Sequence, residues 1–281
     1  MNIKETFKKN PLIYKIGCWG SILIHNYLFD AMSLFKVKLR KIGFLNEEKF
    51  KNIKSLKNRY KGNRCFLIAT GPSLTYNDLN RLKDEYTIGV NSLVKILDKI
   101  PYLPTYLGIQ DGLVYDKIGN LIENSNLSYI FISDECYRKV KKKDNKRFIQ
   151  YPIYYKHHDQ HGEMVNLSSG FTDDASMVVY DGYSVTYSLL QIAVYMGFNE
   201  IYLLGCDCSY DTKNGKHHFI ESGHFDKQAA TVGERMIYAY TIANKWLKEN
   251  RPDVKVYNAT RGGMLEVFPR KTLDEVENLK K

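Results

Sequence analysis

Short apolar runs, each stopping at a polar or glycine-bearing step, are what most constrain the fold of this chain. Cys65–Ala69 runs into Thr70-Gly71-Pro72-Ser73, Tyr86–Val90 into Asn91-Ser92, and Tyr106–Ile109 into Gln110-Asp111. Tyr129–Ile132 is followed by Ser133-Asp134, Ile201–Leu204 by Gly205-Cys206-Asp207, and Lys255–Tyr257 by Asn258. Runs this short without polar alternation suit strands buried on both faces. Helical patterns fall between them: Thr75–Leu82 with Thr75 or Asn77 as its cap, Ser184–Met196, and Asp226–Leu247. Strands alternating with helices predict an α/β fold, a Rossmann-like and mostly parallel sheet with helices on both faces. Ligands of such sheets bind outside the carboxyl ends of the strands. The polar steps are therefore the candidate site.

Thr70-Gly71-Pro72-Ser73 is the most suggestive of them. Glycine lets a phosphate approach the backbone, proline fixes the turn, and Ser73 with the following helix N-terminus offers N–H and O–H donors to an anion. The loop is neither a Walker loop nor a GxGxxG turn, and a plain strand-to-helix turn has the same composition. Asp111 and Asp207, both at strand ends, are a carboxylate pair of the kind that holds Mg²⁺ on a polyphosphate, though Asp207 reads equally as a loop anchor or a ribose contact. Asn258-Ala259-Thr260-Arg261-Gly262-Gly263 follows the last run, and Arg261 suits a substrate carboxylate or phosphate. His224 follows the polar stretch Asp211–Ser222, which reads as a lid. A histidine there has the right pKa to deprotonate an attacking hydroxyl, or it simply caps the next helix. His217 and His218 lie in the same stretch, where they would meet substrate. His157, His158, Asp159 and His161 form a dense polar cluster, but no further ligand has the spacing of a zinc site, and no metal site is assigned.

Before Arg64 the character differs. Residues 1–60 read as a basic helical N-terminal extension and 61–281 as an α/β nucleotide-binding catalytic domain, whose nucleotide is a nucleotide sugar on the resemblance given below. Leu12, Ile13, Ile16, Trp19, Ile22, Leu23, Tyr27, Leu28, Met32 and Phe35 recur at helical spacing, and lysines and arginines cluster after them. The segment reads either as a membrane-surface helix or as a helical hairpin packed on the main domain or on a second subunit of a homo-oligomer. No run is long and apolar enough to span a bilayer. The formal net charge of +10 fits anionic partners, yet no nucleic-acid motif is present, so none is expected to bind. The five cysteines have no metal-ligand or paired spacing and read as reduced. The expected location is cytoplasmic, at the inner face of the cell membrane if the N-terminal segment lies on lipid.

The stretches FLIATGPSL, IGVNSL, YLGIQDG, SVTYSLLQIAVYMGFNEIYLLGCDCSY and SGHF together resemble two related groups. One is the bacterial sialyltransferases that use CMP-activated sialic acid. The other is the broader set similar to 6-hydroxymethylpterin pyrophosphokinases, many of which sit in glycan pathways. The resemblance covers roughly Arg64 to Arg270. The first group implies a metal-independent glycosyltransferase that moves a sugar from a CMP donor to a glycan or lipid-linked glycan acceptor. Gly71 and Ser73, in the loop with Thr70 and Pro72, would hold the nucleotide phosphate. Asn91 matches a nucleotide contact of those enzymes, and Gln110 adjoins Asp111 at the next strand end. Asp111 stands where they carry Asn, and Thr70 also replaces an Asn. Ser184 and Thr186 flank their cytidine-side serine position, Val185 here. Tyr210 lies one place from a tyrosine that binds the leaving phosphate, and His224 resembles their general base. The second group implies a Mg²⁺-dependent pyrophosphokinase, with Asp111 and Asp207 essential. A non-catalytic binding protein of a glycan pathway is the remaining alternative.

Overall fold

Each run read as a strand is one, to within a residue of its expected bounds. A computed structural model describes residues 10–24, 28, 30–45, 47–142, 146–155, 160–161, 164–165, 167–209, 219–221, 223 and 229–278. In chain order the strands are β1 (Arg64–Ile68), β2 (Tyr86–Val90), β3 (Tyr106–Ile109), β4 (Ile130–Ser133) and β5 (Phe148–Tyr151). Then come the short β6 (Ile153–Tyr154), β7 (Gln160–His161), β8 (Met164–Val165) and β9 (Val179–Tyr180). β10 (Glu200–Leu204) and β11 (Lys255–Asn258) complete the set. Seven of them form one sheet in the order β11-β10-β1-β2-β3-β4-β5, and every pairing within it is parallel.

The apolar runs dictate this arrangement because both faces of the sheet are covered. Along β1, Cys65 and Leu67 belong to one core layer and Phe66 and Ile68 to the other. On the first face pack the helices Val185–Tyr195 and Ala229–Asn250. The first of these is buried at every residue, which explains why its sequence is apolar all round rather than striped. On the second face lie the helices Tyr76–Asn80, Gly112–Asn124 and Leu273–Asn278. In the main sheet β5 has no counterpart among the expected strands, and the helix Gly112–Asn124 has none among the expected helices, nor do the short strands β6–β9 and the helix Leu273–Asn278. The helix Gly112–Asn124 hides its apolar stripe (Val114, Tyr115, Ile118, Ile122) among charged and polar neighbours.

The chain enters the first core layer before β1, since Phe50, Ile53 and Leu56 are all buried in it. Upstream of these lie two helices, Pro11–Ile24 and Asp30–Lys41. No helix among the described residues is long and apolar enough to cross a membrane.

Candidate functional site

The strand order reverses between β1 and β10: from β1 the chain builds outward through β5, then returns to add β10 on the other side. In sheets of this kind ligands bind at such a switch point, outside the carboxyl ends of the two strands. The Gly-Pro-Ser loop leaves β1 there and Asp207 follows β10 there, and they touch. Asp207 accepts from the Ser73 hydroxyl at 2.9 Å and from the Ser73 backbone N–H at 3.3 Å. A Cβ on Gly71 would lie 2.0 Å from Asp207 Oδ2 and 2.4 Å from the Gly205 carbonyl oxygen. Glycine is required at 71 by this approach of two chain segments, before any ligand is considered.

The loop's own donors are committed. The Gly71 N–H donates to the Gly205 carbonyl at 2.9 Å, and the Leu74 N–H closes a turn onto the Gly71 carbonyl at 3.2 Å. Pro72 has no N–H to offer. Thr75 caps the helix Tyr76–Asn80 in a reciprocal box with Asp78. The Ser73 donors, for their part, are engaged by the Asp207 side chain. Thr70 is buried, and its carbonyl accepts from the Phe219 N–H at 2.7 Å.

Two buried carboxylates flank the loop, and they differ. Asp78 receives both Arg261 terminal nitrogens at 2.6 Å. Burial alone would raise its carboxyl, but the Arg261 guanidinium and the Thr75 donors outweigh that and hold it below the ordinary carboxylate value. At Asp207 burial wins and raises the carboxyl, against the Ser73 donors and the more distant charge of Arg261. The tail after β11 cages Asp207 from behind. Met264 N–H donates to the Asp207 carbonyl at 2.7 Å. Gly263, at φ +74°, has no room for a Cβ, which would lie 2.6 Å from that same oxygen.

At the next strand end Asn91 adopts φ +45°. Its side-chain oxygen is buried and has no hydrogen-bond partner among the described residues, a buried acceptor of the kind that native structures normally satisfy. Residues 219–221 cross beside it: the Ser92 hydroxyl donates to the Ile220 carbonyl at 2.5 Å and Lys95 to the Glu221 carbonyl at 2.6 Å.

The remaining expected residues are held differently. Gln110 turns inward, donating to buried Asp181 at 2.5 Å and accepting from Ser188 at 2.6 Å and Tyr151 at 3.2 Å. Asp111 caps the helix Gly112–Asn124 through the Leu113 N–H at 2.6 Å. The strand order puts β2 and β1 between it and Asp207. Three strand spacings amount to about 14 Å, too far for the paired Mg²⁺ clamp expected of these two carboxylates. Ser184 caps the helix Val185–Tyr195 through the Thr186 N–H at 3.2 Å, and Thr186 is buried. Arg261, expected to meet substrate, also donates to the Ser73 carbonyl at 2.8 Å, bracing the loop. Tyr210, His217, His218 and His224 lie outside the described residues, as do His157, His158 and Asp159. Sequence reasoning missed Asp78 and Asp181. The Thr75-x-x-Asp78 spacing is the signal that reveals the first; Asp181 has no local signature.

The family model described as "6-hydroxymethylpterin diphosphokinase MptE-like" matches residues 39–213, more than half of the chain. A search of curated proteins finds no match. Among solved structures, the MAf glycosyltransferase from Magnetospirillum magneticum AMB-1 aligns with a TM-score of 0.48 at 13% identity, covering 82% of this chain. The aligned chain spans 40% of that protein's length.

Proposed function

The chain belongs to the 6-hydroxymethylpterin diphosphokinase MptE-like family, and from that premise we propose that it is a nucleotide-dependent transferase whose donor phosphates sit at the β1/β10 switch point. One observation carries this reading: Ser73, Asp207 and the unsatisfied Asn91 oxygen stand at three neighbouring strand ends. The reaction we favour is glycosyl transfer from a nucleotide sugar, with a CMP-linked sialic-acid-like sugar as donor and a surface glycan as acceptor. The strand separation of Asp111 from Asp207 supports a mechanism that needs no two-carboxylate metal clamp.

In this mechanism an acceptor hydroxyl attacks the anomeric carbon. The new carbon–oxygen bond forms as the bond to the donor phosphate breaks, and the hydroxyl proton passes to His224. The departing nucleotide keeps the electron pair, and its phosphate is stabilised by Ser73, which exchanges Asp207 for it, and by Tyr210. Asn91 accepts from the nucleotide.

A second reading follows from the family's name and from Asp207 itself. A single carboxylate beside a phosphate loop can hold Mg²⁺ together with phosphate oxygens and water, as diphosphate transfer to a pterin-like alcohol would require. Thermal shift with CMP and with ATP, each with and without Mg²⁺, separates the two readings. Stabilisation by CMP in EDTA, with CMP-sugar turnover that His224→Ala lowers about 100-fold or more, supports glycosyl transfer. Stabilisation by ATP only with Mg²⁺, lost in Asp207→Asn, replaces it with the second reading. A shift with neither nucleotide overturns both.

A further inference from the structure

We propose that the two N-terminal helices hold this protein flat on an anionic lipid bilayer. Pro11–Ile24 has 14 residues, of which Lys15 is the sole charged one. Leu12, Ile16, Trp19 and Leu23 follow the i, i+4, i+7, i+11 spacing of a single stripe. Each is exposed, from 59% for Leu23 to 68% for Leu12. Cys18, on the opposite side of the helix, is buried. The helix is thus covered at Cys18, on the side where it meets β7, and turns its apolar stripe outward.

The helix Asp30–Lys41 is built the same way. Asp30 accepts from the Tyr154 hydroxyl, and Arg40 donates to the Met177 carbonyl at 2.9 Å, which fixes the inner side. Met32 and Phe35 face away from these, 58% and 61% exposed. At about 100° per residue, Lys36 and Lys38 fall on either side of that apolar pair. An outward stripe of Leu, Ile, Trp, Met and Phe, flanked by lysines, suits a helix lying at the level of the headgroups. The first helix would measure about 21 Å, short of the ~30 Å hydrocarbon layer, so it lies on the bilayer rather than crossing it.

Charge decides between lipid and a second copy of the chain. Pairing two copies through these stripes would bring lysine flank against lysine flank, in a protein of net charge +10. Anionic headgroups neutralise the same lysines.

The test uses the full chain and vesicles of phosphatidylcholine, with or without an equal share of phosphatidylglycerol. The sequence has two tryptophans, and Trp246 is packed against Phe171 with ring centroids 5.2 Å apart. In Trp246→Phe the emission reports Trp19 alone, and wild-type co-sedimentation provides a reading free of that substitution. We expect a blue shift and co-sedimentation with the anionic vesicles only, weakened by added salt, and reduced at least tenfold in the double substitution Ile16→Glu, Phe35→Glu. Equal binding to neutral vesicles overturns the role given to the lysines. No binding to either vesicle overturns the proposal. Self-association that the double substitution abolishes, without vesicle binding, identifies a second copy as the occupant instead.

Discussion

Asp78 and Asp207 lie on opposite sides of the same loop, both buried, and the protein treats them in opposite ways. Asp78 has a guanidinium in bidentate contact and is held ionised. Asp207 is met by neutral donors, those of Ser73 and its own backbone N–H, and its charge is disfavoured by burial. A carboxylate with a matched cation becomes a strut. One balanced between burial and a few neutral donors stays chemically pliable, able to take up a proton or a cation or to release its partner. On the function proposed above, this difference puts the working side of the loop at β10 and the bracing side at the Arg261 tail.

The largest test of this division is Gly71→Val. A side chain there collides with the Gly205 backbone as well as with Asp207, and backbone cannot yield as a side-chain tip can. We expect a loss of about 3 kcal/mol or more in urea unfolding, with nucleotide-induced stabilisation abolished. Arg261→Ala comes next, because it strands Asp78 in the interior. About 2 kcal/mol should be lost, and Arg261→Lys should recover only part of it, since one ammonium cannot reproduce the fork. If Arg261→Ala unfolds like wild type but loses ligand binding, the strut assignment is wrong and Arg261 is a substrate residue after all.

Asp207→Asn should fall on the other side of the comparison. The amide oxygen can still accept from Ser73 while the buried charge disappears, so unfolding stability should change by less than about 1 kcal/mol. Any large effect should appear in ligand binding or turnover.

The smallest effect is in the pH dependence, where the two groups have opposite signs. Asp78 has a folded value below the ordinary 3.8. Its stabilisation is complete above about pH 3.8 and is lost as the pH falls through the lowered folded value. Asp207 has a folded value above 3.8, so its destabilisation is full above that raised value and vanishes as the pH falls toward 3.8. Unfolding measured from pH 7 down to pH 3 should therefore show a gain on mild acidification that Asp207→Asn removes, and a steeper loss below it that Arg261→Ala removes. Identical profiles for the three proteins would show that the two carboxylates do not differ.

The strands were legible because a buried parallel strand needs only a short apolar run and a stop, and each stop is a local event such as Gly71-Pro72 or Asn91. The helix Val185–Tyr195 was legible for the same reason. The helix Gly112–Asn124 was not, since its apolar stripe is diluted by Asp116, Lys117, Asn120 and Glu123. In the candidate site, the positions Ser73, Asn91 and Asp207 could be read from their place at strand ends. Their partners could not. Gln110 and Asp111 stand in the same kind of place, yet one turns into the core on Asp181 and the other caps a helix.

The sequence by itself determined the α/β class, the positions of six of the seven strands of the main sheet, and the polar character of their carboxyl ends. Periodicity and turn chemistry are local, and a chain carries them wherever it goes. Only the tertiary structure decided that β10 lies beside β1, which brings Asp207 onto Ser73 and parts it from Asp111. It also decided that Arg261 braces Asp78 across a sequence separation of 183 residues. Strand order and side-chain pairing are settled by which apolar faces cover one another, and that is a property of the packed whole, which no single segment encodes.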